Sequence, residues 1–188
     1  MLLKEHKDLK LAIVAIPSKE KDKLLLRLIA KDKVLTEHLH FKLLEDESAL
    51  TDRFESLKLD IENAAEYIRN DRYSAKDTLV VMRKLNGKIN HHYKVTKDIN
   101  TEVELRICLL LEMPLLFKES VLSAAYVHVG KLATYFVRTT ISALNKYRKL
   151  HEDLQFDLGV QFSELLKKID ESKPVSRVAR ELGLPKEL

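Results

Sequence analysis

Between positions 50 and 68, Leu50, Phe54, Leu57, Ile61, Ala64 and Ile68 recur at spacings of 4, 3, 4, 3 and 4. A strand would need a period of two. This spacing instead draws one apolar stripe along a helix over about 45–70, which must be covered by other elements. The same periodicity returns along the chain. Leu79, Met82, Leu85, Ile89 and Tyr93 keep it after Ser74, a predicted N-cap. Leu122, Tyr126, Val129, Ala133, Phe136, Leu144 and Tyr147 mark a helix over about 119–150, and Leu154, Leu158, Phe162, Leu165 and Ile169 mark the next. With only 4 glycines and 4 prolines in 188 residues, the chain lacks the punctuation that strands and hairpins need.

The expectation is an all-α, single-domain antiparallel bundle of about six to eight helices, with a degenerate helical-repeat superhelix as the alternative. Residues 1–44 read as short helices, 45–171 as the long helices of the bundle, and 174–183 as a C-terminal capping helix. Within the first part, SKEKDKLLLRLIA opens at Ser18 as N-cap, and a separate helix follows because Asp32 would fall on the apolar face of a merged one. Asn86-Gly87 predicts a weakened or broken helix. Thr101 and Glu104 have capping-box spacing, which predicts a helix start at 101 or 102.

The run RICLLLEMPLLFKES sets Glu112 and Pro114 two residues apart in apolar surroundings. A bare buried carboxylate there would cost several kcal/mol, about what an unpaired polar burial costs generally. Proline removes an N–H and leaves the carbonyl of Leu110 without its helical partner. The pair therefore predicts a structural kink, with a basic residue or histidine from a neighbouring helix satisfying Glu112. No stretch reaches the roughly 20 apolar residues of a membrane span. The N-terminus makes a poor signal peptide, Cys108 has no second cysteine to pair with, and cytoplasmic residence is expected.

Charge is laid out in blocks. Residues 43–71 carry 3 basic and 9 acidic side chains, and 119–150 carry 5 basic and 1 acidic. On a helical wheel Glu45, Asp52, Glu55, Glu62 and Glu66 form an acidic face, and His128, Lys131, Tyr135, Arg138, Ser142, Lys146 and Lys149 form a basic one. Both faces lie opposite the apolar stripes of their own helices. The first expectation for function is a non-enzymatic protein-interaction or self-association domain in which the acidic face meets a basic partner, possibly the basic face of a second copy. The second is RNA or DNA binding along 128–149. The third is an enzyme using Glu112 or a histidine in an interhelical pocket.

Other chemistry finds little footing. SRVARELGLP resembles the first helix and turn of helix-turn-helix DNA-binding units, with Ala179 inside and Gly183 at the turn; that resemblance implies a recognition helix beyond PKEL. A C-terminal helix stopping at Gly183 is the simpler reading. Glu37 and His40 have the Glu-x-x-His spacing of di-iron bundles, but no second such pair exists, and adjacent His91 and His92 diverge on a helix. No metal, cofactor or catalytic grouping is expected.

Overall fold

The computed structural model describes residues 5–70, 74–115 and 124–188. These residues form nine α-helices and no strands. Contacts divide the chain, expected to be one domain, into two units, Met1–Glu45 and Asp46–Leu188.

The first unit holds α1 (Lys7–Ala15), α2 (Ser18–Ile29) and α3 (Lys33–Leu44). Pro17, not Ser18, occupies the N-cap of α2, and no side chain caps that end. Asp32 breaks the path to α3 and caps it, its carboxylate accepting from Leu35 N at 3.1 Å. None of the three helices contains a buried residue.

The second unit is a helical bundle of α4 (Ser48–Asn70), α5 (Ala75–Thr96), α6 (Ile99–Glu112), α7 (Val127–Tyr147), α8 (Glu152–Glu171) and α9 (Lys173–Glu181). Helix α6 packs on α4, α5, α7 and α8, which a superhelix of stacked repeats would not allow. Its sequence explains the position: a helix with a wide apolar face must be covered by several neighbours. Val103, Leu105, Ile107, Leu109 and Leu110 cover more than half of its circumference and all are fully buried, while Glu104, Cys108 and Leu111 on the remaining side are half-buried. Helices α5 and α6 turn back on each other through Lys97 and Asp98, so that His92 meets Thr101 and Asn90 meets Arg106. The Asp98 carboxylate accepts from Thr101 N at 2.8 Å, so the helix starts at Ile99, ahead of the predicted capping box.

Helix α5 runs unbroken through Asn86-Gly87, against the sequence expectation. Its stripe of Leu79, Met82, Leu85 and Ile89 is buried, and that burial outweighs the propensity cost of two residues. Glycine is needed for close approach at Gly159, where an added Cβ would lie 3.3 Å from the Tyr147 hydroxyl. At the chain's last helix, Gly183 takes φ 73°, and Leu184 N reaches back to Ala179 O at 2.9 Å, a Schellman-type stop. The described part of the 119–150 segment begins with one 3-10 turn at Ala124–Tyr126, and Leu122 lies outside the described residues. No helix among the described residues is long and apolar enough to cross a membrane.

An added Cβ at Gly87 would meet no heavy atom within 4 Å, so replacing this glycine relieves its helix penalty without a clash. Gly87→Ala is expected to stabilise the protein by about 0.5–1 kcal/mol, read as a shift of the urea midpoint at constant slope.

Candidate functional site

The basic face on α7 is not uniform. Lys131, Arg138, Ser142 and Lys149 are exposed, and His128 is half-buried. Tyr135 turns toward α5, where its hydroxyl accepts from Asn86 Nδ2 at 3.0 Å and the Arg83 guanidinium sits 5.5 Å from its ring centre. Lys146 also turns inward, donating to Glu102 Oε1 on α6, with the Tyr93 ring 4.9 Å from its ammonium. The open cations are therefore Lys131 and Arg138, seven residues apart on α7, and Lys149 in the turn after the helix ends at Tyr147. None has an ion pair with a described residue.

The acidic face on α4 comprises Asp52, Glu55, Glu62 and Glu66, all exposed. Glu45 does not belong to it, because α4 begins at Ser48. That side chain follows α3 and accepts from His40 Nδ1 at 2.9 Å. Helix α4 packs on α5 and α6, while α7 packs on α5, α6 and α9, so the acidic face does not cover the basic one within the bundle.

Sequence reasoning missed the polar cluster that lies between them. Glu102 and Arg106, four residues apart on α6, are both buried, with a 2.6 Å ion pair. Arg106 Nη1 donates to Asn86 Oδ1 and Nη2 to Asn90 Oδ1, each at 2.6 Å. Glu102 Oε1 takes Arg106 and Lys146 together, whereas Oε2 is buried with no hydrogen-bond partner among the described residues. The signal available was an i, i+4 Glu/Arg pair among the apolar positions Val103, Leu105, Ile107, Leu109 and Leu110 of one helix. Beside the cluster, the Thr101 hydroxyl donates to Asp98 Oδ1 at 2.9 Å and so must accept from His92 Nε2. Burial holds the His92 imidazole below its usual range, opposed chiefly by Asp98.

Glu112 is the last residue of α6, and Arg69 of α4 grips it twice, donating to its backbone O at 2.8 Å and its Oε2 at 2.6 Å. Lys168 of α8 completes this end. Its ammonium donates to Leu110 O at 2.9 Å, to Met113 O at 2.6 Å and to Leu111 O. The carbonyl that Pro114 leaves without an N–H is thus satisfied by a lysine. Burial pushes Lys168 down to about 8, with the Glu112 carboxylate working against it. Cys108 is pushed up to about 11 by burial first and then by Glu112, which leaves little thiolate at neutral pH. The chain continues beyond Pro114 into 116–123, outside the described residues. Among the described residues no group of three His, Cys, Asp or Glu could hold a metal ion.

Removing one partner of a buried ion pair strands the other. Arg106→Met is expected to cost about 3–5 kcal/mol in urea unfolding, and Glu102→Met with Arg106→Met to recover only part of that loss, because Lys146, Asn86 and Asn90 still lose their partner. The neutral His92 gives an acid limb. Its folded pKa lies below the unfolded value, so the stability it contributes is present above about pH 6.5 and is lost as pH falls through the folded pKa. Between pH 7.5 and 5, the wild type is expected to lose more stability than His92→Gln, whose amide keeps a donor for Thr101. The slope difference should approach 1.4 kcal/mol per pH unit at most, the value for one proton.

Comparison with known proteins adds no family to this geometry: no family model, no curated protein and no solved structure matches the chain.

Proposed function

We propose that this chain is a non-enzymatic helical module that assembles with a second copy of itself, the acidic face of α4 meeting the basic face of α7 on the other copy. The observation that carries the reading is that the four carboxylates of the acidic face and the cations Lys131, Arg138 and Lys149 are exposed and have no ion pair among the described residues. A twofold arrangement would satisfy both faces of both copies at once and close the assembly.

The N-terminal helices support the same reading. Leu24, Leu25, Leu26 and Leu28 of α2 are between 43% and 65% exposed. Three consecutive leucines sweep about 200° of a helix, far wider than the stripe one packing partner covers. Leu9, Leu11, Val14, Leu35, Leu43 and Leu44 are exposed on α1 and α3 as well. Apolar surface of this extent calls for a cover, and the same helices of the second copy are the occupant proposed.

Binding of RNA or DNA phosphates is the second reading, resting on the same three open cations. Three phosphate contacts would give a log–log salt slope of only about −3. Tyr135, the one tyrosine on the basic face, is committed to Asn86 and offers no free platform for a base. An acid at Glu112 has the least support, because Arg69 already holds that carboxylate.

Sedimentation equilibrium tests the assembly. The mass is expected to rise with concentration toward twice the monomer, more steeply at low salt. Changing Lys131, Arg138 and Lys149 together to Glu should weaken association at least tenfold, and adding Glu55→Lys, Glu62→Lys and Glu66→Lys should restore it. A monomer at every concentration, or a charge swap that restores nothing, overturns the proposal.

A further inference from the structure

A groove of about 650 Å³ runs between α4 and α5, within the range of small-molecule sites. Its surface is mostly apolar, contributed by Leu57 and by the stems of long basic side chains, which cover apolar area while keeping their charge in water. Charge on its lining is one-sided. Arg53, Lys84 and Lys88 stand against the single carboxylate of Asp52, with the imidazoles of His91 and His92 alongside. Lys88 is already neutralised by Asp60 at 2.6 Å, whereas Lys84 is exposed and has no ion pair among the described residues.

Gly87 lies in the wall of this groove. Glycine weakens a helix relative to alanine. Nothing inside the protein requires it, because a Cβ built there meets no heavy atom within 4 Å. What a side chain at this position would occupy is the groove itself. A glycine that costs the helix stability and frees only external space fits a backbone that a ligand approaches closely.

We propose that the α4–α5 groove binds a small amphipathic anion, an alkyl chain bearing a carboxylate or phosphate head. The chain lies along Leu57 and the open backbone at Gly87, and the head meets Lys84. Asp52 belongs both to this groove and to the acidic face of the proposed assembly, but a probe titration reads the groove whatever the mass of the protein.

The experiment titrates the full chain, below micelle concentrations, with decanoate, decyl phosphate, decyltrimethylammonium and inorganic phosphate. Calorimetry and amide chemical shifts along α4 and α5 provide the readouts. Saturable binding of decanoate or decyl phosphate is expected, with the better of the two naming the head group. The cationic probe should bind at least tenfold more weakly, and inorganic phosphate should not saturate. Gly87→Leu should lower affinity at least tenfold while leaving the helical circular dichroism unchanged, and Lys84→Glu, at an exposed position, should do so severalfold. Absence of saturable binding by both alkyl anions, equal binding of the cation, or unchanged affinity in a folded Gly87→Leu or Lys84→Glu protein would overturn the proposal.

Discussion

A helix buried over more than half of its circumference must find partners for most of its own polar groups inside the protein, and α6 is that helix. Its last carbonyls lack helical partners, and a buried backbone group left unsatisfied costs about 1–3 kcal/mol. The surrounding helices answer this at both ends. Asp98 takes an amide at the start, and at the finish Lys168 from α8 and Arg69 from α4 supply the donors that Pro114 and the chain's exit remove. The two cations come from different helices, so the end of α6 also pins α4 and α8 to it.

The middle of α6 imposes a second condition. Apolar stripes alone tolerate small slides and rotations between helices, because leucine against leucine is nearly indifferent to register. The Glu102–Arg106 pair is not indifferent. Asn86 and Asn90 must lie one turn apart on α5 to meet both terminal nitrogens of Arg106, and Lys146 must arrive from α7 at the oxygen that Arg106 already occupies. One setting of three helices satisfies all of these contacts. Two cations share one carboxylate there, and the Tyr93 ring and the two asparagines offset part of the remaining positive charge.

The helices were legible because their stripes are local in sequence. Ser74, Asp32 as a break, and Gly183 as a stop could be read for the same reason, each acting within a few residues. Misreadings came where tertiary contacts decide. Asn86-Gly87 looks like a turn until Asn86 is seen holding Arg106 and Tyr135 across helices. Lys146 was assigned to a solvent face because a helical wheel shows only which way a residue points from its own helix's stripe. It does not show that neighbouring helices rise on the flank. Lys168 carries no sequence signal for its role, since its three acceptors lie 55 to 58 residues away. That Glu112 would need a basic partner from another helix could be reasoned from desolvation, but the choice of Arg69 could not.

Diverting Tyr135 and Lys146 into the interior changes what the basic face can do. Three cations, two on α7 and one just past its end, form a sparse row, and exposed ion pairs are each worth only about 0.2–1 kcal/mol. In the proposed assembly such a row can orient two copies and speed their encounter, but it cannot hold them together. Affinity has to come from apolar area, which is concentrated on the exposed leucines of α1–α3. Orientation and affinity would then reside in different parts of the chain. Salt should act mainly on how fast the copies meet, and the N-terminal leucines on how long they stay together.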